Sequence, residues 1–309
     1  MNNKILEVKN LSVLIKERFL VKNVSFSLEK GKSLAVIGED RSGKTSLLKA
    51  IDGALPISQG QIFIDGKDIK LDRSVLSDVG ICLDPPMFFK YQSVFENMKY
   101  LTMLCDKYDK SKIEDALKKV NLLEKAKTKV LFLSYFEKKL ISLALAFLTK
   151  PKLLLLDQPF KTLPAKETEQ IKNWIKELQK NGTTVIISST KYENVSDFCD
   201  EFVFMEHRRL VKILSNSECE KFSTEKTYAF VEVKYPHFAG KAIIDQFGLD
   251  VKLLQRKLVF EADEDKTAEI VKYLSGQKIK IFKAGFLHNK AEKIFAELAP
   301  FFKKEEISE

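Results

Sequence analysis

Eight residues constrain this chain more than any others: Gly38-Glu39-Asp40-Arg41-Ser42-Gly43-Lys44-Thr45, a complete GxxxxGK[ST] turn. It stands between a strand-like run, residues 33–37, and a helix-like run that starts at Ser46 and reaches Ile51. A turn so placed presents successive backbone N–H groups and a helix N-terminus to phosphate oxygens. Lys44 would then reach the β- and γ-phosphates of a nucleotide, and the Thr45 hydroxyl would ligate Mg2+. The alternative is a chance glycine turn before an ordinary helix. A second apolar strand, Leu153-Leu154-Leu155-Leu156, ends in Asp157 and favours the nucleotide reading. Residues 183–188 follow as a β-branched run, the pattern of neighbouring strands in a parallel sheet under helices. Two details lower the expected affinity. Arg41 sits where many such loops carry glycine, and Glu39 with Asp40 sets negative charge near anionic phosphates.

Between loop and acidic strand lies a largely helical stretch, residues 93–149, with Leu133-Ser134-Tyr135-Phe136-Glu137 leading into a helix expected over 138–149. The run LALAFLTKPKLLLLDQP (143–159), the segment VKNVSFSLEKGKSLAVIG (21–38), SVFENM (93–98) and FCDEFVFMEHRRLV (198–211) occur in a telling order. On these residues the chain resembles the ATP-binding subunit of an ABC transporter over roughly 4–215, and Leu133-Ser134 begins where that family's LSGGQ signature begins. The resemblance implies an α/β P-loop NTPase fold of ABC type, with a mixed sheet, an antiparallel β subdomain and a helical subdomain. It implies ATP and Mg2+ as cofactors, with Thr45, Asp157 and Asp84 as the oxygen ligands of the metal.

The departures from the family bear on mechanism. The glutamate that activates water falls at Gln158, and a neutral amide cannot accept a proton, which removes a contribution of about 10² to 10⁴ in rate. Glutamine still orients water in other P-loop enzymes, so slow hydrolysis remains open. The switch histidine falls at Thr190, which hydrogen-bonds but has no imidazole. The Q-loop glutamine falls at Asp84, able to bind Mg2+ through oxygen while adding a charge. The D-loop aspartate falls at Pro164, and the aromatic that stacks on adenine falls near Ile15, leaving apolar packing unless Phe19 swings in. Tyr135 and Phe136 replace both signature glycines, so Ser134 alone keeps its chemistry there, with Glu137 after it. In a homodimer both composite sites would carry every defect. The resemblance therefore implies a heteromeric pairing with a second, fully equipped ABC ATPase, and a separate transmembrane subunit.

No apolar run among the 309 residues approaches the ~18 of a membrane span, and the Lys4-containing N-terminus lacks a signal-peptide pattern. The expected location is cytoplasmic, on the inner membrane face through the membrane subunit. Cys82, Cys105, Cys199 and Cys219 form no CxxC pair, as expected for reduced thiols. The net charge of +9 is read as solvated surface rather than a nucleic-acid footprint, since acids interleave with the lysines and the largest arginine cluster is Arg208-Arg209. Pro85 to Tyr91 follows the Q-loop position. Phe88 and Phe89 there are either anchors for a membrane partner or fillers of the subdomain core.

Beyond a polar linker, 216–227, the pattern changes. A strand over 228–235, a helix over 238–247, two strands within 251–262 turning near Gln255-Arg256, a helix over 266–274, a strand over 278–283 and a helix over 289–302 are expected. That order predicts a small ferredoxin-like α+β domain over 228–309. It resembles the C-terminal extension of ABC-2-type exporter ATPases, closing KAEKIFAEL (290–298) included.

Overall fold

The hydrophobic runs around the glycine turn become the centre of a parallel sheet in the computed structural model, which describes residues 3–104, 107–222, 226–254 and 256–298. The chain divides into two units, one of residues 1–190 with 194–216, the other of 191–193 with 217–309. The first holds strands β1 (Lys4–Ile15), β2 (Arg18–Glu29), β3 (Ser33–Ile37), β4 (Gln59–Ile64), β5 (Lys67–Asp68), β6 (Val79–Cys82), β7 (Leu153–Leu156), β8 (Thr184–Ser189), β9 (Glu201–Glu206) and β10 (Arg209–Ser215). Its helices are α1 (Lys44–Ile51), α2 (Val94–Met103), α3 (Lys110–Lys119), α4 (Tyr135–Thr149) and α5 (Ala165–Lys180).

Six strands form the main sheet in the order β10-β9-β3-β8-β7-β6, parallel apart from β10. Every residue of β3, β7 and β8 is buried, which explains their unbroken apolar runs: a strand covered on both faces has no polar side to alternate with. A second, antiparallel sheet runs β2-β1-β4-β5. Lys16 and Glu17 close the β1–β2 hairpin, both with positive φ (46° and 61°), the backbone handedness that matches strand twist. Leu11, Val13, Val21 and Val24 from this sheet pack with Leu34 and Val36 of β3 and Leu47, Leu48 and Ile51 of α1 in one core. The strand and helix that flank the glycine turn thus share one core with the antiparallel sheet.

Helix α4 starts three residues earlier than the expected 138. Ser134 accepts the Glu137 N–H at 3.2 Å and Glu137 accepts the Ser134 N–H at 2.8 Å, a reciprocal cap that draws Tyr135 and Phe136 into the first turn. The same device, Ser93 with Glu96, starts α2.

The run expected as a polar linker begins with a helix, α6 (Asn216–Lys221), because Cys219 is fully buried there; residues 223–225 lie outside the described residues. Next come β11 (Tyr228–Val233), α7 (Pro236–Phe247), β12 (Lys252–Leu254), β13 (Lys257–Glu261), α8 (Glu264–Gly276), β14 (Ile281–Phe286) and α9 (Lys290–Leu298). Their sheet, β12-β13-β11-β14, is wholly antiparallel, the ferredoxin-like arrangement of a β-α-β-β-α-β chain. Ala229, Val231, Ile243, Leu258, Phe260 and Ile270 form its core. The last strand is displaced from 278–283 to 281–286, since α8 runs on to Gly276 and Lys278 turns with a φ of 61°. Gln255, Cys105 and the expected helix end at 299–302 lie outside the described residues.

Candidate functional site

The Gly38–Thr45 loop leaves β3 and enters α1 at Lys44. Gly43 has a φ of 106°, and a Cβ there would stand 2.8 Å from the Leu20 carbonyl oxygen. At Gly38 a Cβ would stand 2.4 Å from the Met205 carbonyl oxygen. Both glycines are required by close backbone approach. Arg41 takes a φ of 69° where glycine would be at ease, a strain of about 1 kcal/mol.

Lys44 is 3% exposed and its ammonium donates to the carbonyls of Gly38 and Glu39, both at 2.7 Å, with Ser42 Oγ at 3.4 Å. Burial pulls its pKa down to about 8. The loop is therefore wrapped around its own cation. Ser42 is pinned from outside, since its carbonyl accepts the Arg208 N–H at 3.0 Å and the Arg208 carbonyl accepts the Lys22 N–H at 2.8 Å. The β9–β10 hairpin, with His207 and Arg208 at φ 46° and 66°, thereby lies against the loop.

Asp157 follows β7 and is 2% exposed. Its two carboxylate oxygens accept from Thr45 Oγ1 at 2.8 Å and Ser188 Oγ at 2.6 Å, and Ser188 Oγ accepts the Gln158 N–H at 2.9 Å. Asp84 lies just past β6, its Oδ1 buried without a hydrogen bond. Thr45 and Asp157 together offer a hydroxyl and a carboxylate, oxygen donors of the kind Mg2+ takes, and the Asp84 Oδ1 lies 3.4 Å from Lys139 Nζ. Among the described residues no three acidic, histidine or cysteine side chains group into a metal cage. Mg2+ needs only one or two protein carboxylates when phosphates and water supply the rest.

A cleft of about 510 Å³ opens over these groups, lined by Arg18, Leu20, Arg41, Gly43, Lys44, Thr45, Ser46, Gln158 and Arg208. Arg18, Arg41 and Arg208 line it together with Lys44, whose ammonium is turned back onto the loop carbonyls, and no Asp or Glu is among its lining residues. Asp40, expected to repel phosphate, turns instead to Lys161 Nζ at 3.4 Å and Gln158 Nε2 at 3.5 Å. Gln158 itself has a φ of 43°.

Of the residues picked from the sequence, Arg41, Gly43, Lys44, Thr45, Ser46 and Gln158 meet in the cleft. Gly38, Glu39, Asp40 and Ser42 build the loop behind them. Ile15 packs partly buried on the core of the antiparallel sheet, and the Phe19 ring lies under Lys22 Nζ at 5.0 Å. Neither lines the cleft; Leu20 and Arg18 form that wall. Thr190 stands just past β8, next to Ser189, whose carbonyl accepts the Gly38 N–H at 3.2 Å. Ser134, Tyr135, Phe136 and Glu137 form the capped start of α4, away from the cleft lining. Arg18, Leu20 and Arg208 carry no motif, and the one available signal was the Arg208-Arg209 pair, read as solvated surface. The structure adds that Arg208 lines the cleft.

The sequence model of the family described as ABC transporter matches residues 21–161. The uncharacterised ABC transporter ATP-binding protein YhcH of Bacillus subtilis (strain 168) is 24% identical over 303 residues, covering 97% of this chain and 98% of that protein. YybJ of the same strain, also an uncharacterised ABC transporter ATP-binding protein, is 31% identical over 205 residues, 66% of this chain and 94% of its own length. Among solved structures, one described as an ATP-binding subunit of an ABC transporter shares the fold, with a TM-score of 0.63 at 21% identity over 70% of this chain and 92% of that one. With nearly the whole of YybJ matched and the family pattern running from Val21 to Lys161, through the loop and up to the acidic strand end, the chain belongs to the ATP-binding proteins of ABC transporters.

Proposed function

We propose that this chain is the ATP-binding subunit of an ABC exporter complex, which binds Mg-ATP in the cleft, hydrolyses it slowly or only with its partners, and drives a separate transmembrane subunit. The observation that carries this reading is the cleft itself: three arginines line it around a glycine turn wrapped on Lys44, beside the Thr45–Asp157 pair. Triphosphate supplies the negative charge that such a site lacks. Thr45, Asp157 and Asp84 would hold Mg2+, which supplies charge neutralisation at the phosphates.

Slow turnover follows from Gln158, an amide at the position where a base is needed. Its side chain reaches Asp40, and Asp40 also faces Lys161, so the cleft has no free carboxylate to take a proton from water. With Tyr135 and Phe136 filling the first turn of α4, a site completed by this signature would be distorted. Pairing with a second, complete ABC ATPase is therefore favoured over a homodimer, and no nucleic-acid partner is proposed.

Phe88 is half-buried, but Phe89 is 60% exposed with Met87 and Tyr91 beside it at 72% and 65%, which supports docking of the membrane subunit at Phe89. No helix among the described residues is long and apolar enough to cross a membrane; on this proposal the pore belongs to a separate membrane subunit, which would hold this chain at the inner membrane face. The exporter reading rests on the resemblance of the C-terminal extension, whose described strands stand in ferredoxin-like order, to that of ABC-2-type exporter ATPases. The same substitutions at Gln158 and the signature also favour a second reading, an ATP-gated regulatory subunit without turnover.

ATP binding and turnover of the purified chain, compared with Lys44→Ala and Gln158→Glu, test the proposal. Binding that Lys44→Ala abolishes, with turnover raised by Gln158→Glu, supports it. Brisk Lys44-dependent hydrolysis by the wild type refutes the slow-site reading, and absence of ATP binding refutes the whole. Turnover that stays nil with both partners present selects the regulatory reading.

A further inference from the structure

Lys139 belongs to α4, and the functional reading above makes no use of it. Its side chain is nearly sealed from solvent, with 5% of the residue exposed. The ammonium donates to the carbonyl oxygens of Gln158 at 2.9 Å and Pro159 at 3.0 Å, with Lys161 O at 3.5 Å, and lies 4.8 Å from the centre of the Tyr135 ring. Its three N–H donors are thereby taken by backbone carbonyls. The Asp84 carboxylate lies 3.4 Å away, in ion-pair range, yet its Oδ1 receives no hydrogen bond. That oxygen is thus held by the charge of Lys139.

A buried carboxylate oxygen without a hydrogen bond is costly, so the Asp84 carboxylate depends on the nearby ammonium, whereas the ammonium also has its carbonyl acceptors. The pair also joins two parts of the first unit. Asp84 follows β6, which pairs with β7, and β7 leads into Asp157; Lys139 rides on α4, the helix that begins with the signature residues. The Asp157 N–H donates to the Cys82 carbonyl at 2.8 Å, which sets Asp157 beside the strand end two residues before Asp84. A cation arriving beside Thr45 and Asp157 would therefore meet a carboxylate already engaged by a lysine.

We propose that Lys139 is a positioning residue that competes with Mg2+ for Asp84, so that filling the metal position beside Thr45 and Asp157 loosens the tie between α4 and the segment after β6. This rests on the reading of the cleft as a Mg-nucleotide site. Loss of the Asp84 contact leaves Lys139 bonded to the carbonyls of Gln158 and Pro159. The exchange therefore shifts one carboxylate between two cations without stranding the ammonium.

The test uses the full chain and a fluorescent N-methylanthraniloyl ATP, with binding titrated against Mg2+ in wild type, Lys139→Met, Lys139→Arg, Asp84→Asn and the Lys139→Met/Asp84→Asn double variant. Lys139→Met is expected to lower the half-saturating Mg2+ about tenfold, the low end of what an opposite charge within 4 Å exerts on a carboxylate. Lys139→Arg restores the wild-type requirement, Asp84→Asn raises it, and the double variant matches Asp84→Asn. Equal Mg2+ dependence in wild type and Lys139→Met overturns the inference, as does a shift that persists in the Asp84→Asn background. Should Lys139→Met fail to fold, Asp84→Asn decides by itself: an unchanged Mg2+ requirement overturns the competition. A wild type that binds no nucleotide at any Mg2+ concentration overturns the functional reading and this inference together.

Discussion

Asp52→Asn should stabilise the nucleotide-binding unit at neutral pH and leave it unchanged in acid. Asp52 caps the C-terminus of α1, where the helix carbonyls already concentrate negative charge. Burial pushes its pKa from 3.8 up to about 6, with no compensating cation. A carboxyl with a raised folded-state pKa binds its proton more tightly when folded. Stability therefore rises as pH falls through 6, and the penalty is gone below about 3.8, where both states are protonated. Above pH 6 the full penalty applies, and two pKa units at 1.36 kcal/mol each come to about 3 kcal/mol. Partial solvent contact trims this to about 2 kcal/mol. For a unit of this size that corresponds to a rise of roughly 4–8 °C in Tm. Thermal melts of wild type and variant at pH 4 and pH 7.5 measure it. A gain at pH 7.5 no larger than at pH 4 would refute the argument, because an amide and a neutral acid are near isosteres and only the charge distinguishes them.

Gly43→Ala forces a side chain into the φ of 106° and to within 2.8 Å of the Leu20 carbonyl, so a loss of more than about 1 kcal/mol in stability and of ATP binding is expected from denaturation and nucleotide titration. Arg41→Gly relieves the φ of 69° but removes a cation from the cleft; melts should show about 1 kcal/mol of gain while ATP affinity falls, most steeply at low salt. Arg208→Ala should weaken ATP binding about tenfold while leaving the loop pinned, because the 3.0 Å bond to Ser42 comes from the backbone. Phe89→Asp with Met87→Asp should leave ATP binding unchanged and abolish co-purification with the membrane subunit; retained co-purification would place the docking surface elsewhere.

The nucleotide loop is legible because its chemistry is local. Turn glycines, Lys44 and Thr45 lie within eight residues, and the conformation that positions them follows from two close backbone approaches and a helix start. The order of elements in the C-terminal unit is legible for a similar reason, since alternation of period two and helical spacing survive in short windows. Element edges are less so. The start of α4 moved because a Ser134–Glu137 cap outweighs the poor look of Tyr135 and Phe136 as helix openers, and the strand at 281–286 moved because α8 overran its expected end.

The cleft walls follow different physics. Arg18 and Leu20 come from the β1–β2 hairpin, and Arg208 from the β9–β10 hairpin, so their convergence depends on how the two sheets pack around the loop. The adenine-side position near Ile15 illustrates the limit: counting along the chain points to it, but Ile15 and Leu20 both pack partly buried on the same core and only Leu20, with Arg18 opposite Ile15, reaches the cleft wall, a difference of reach that the spacing alone does not carry. Lys139 and Asp84, fifty-five positions apart, look like a surface lysine and a substituted loop residue until the fold sets them 3.4 Å apart. The sequence by itself determined the phosphate loop, the acidic strand end and the chemical substitutions at Gln158 and the signature, because each depends on residue type at fixed short spacing. Tertiary structure alone decided which cations face the nucleotide and which carboxylate is already engaged, because burial and charge pairing arise only when distant segments are packed together.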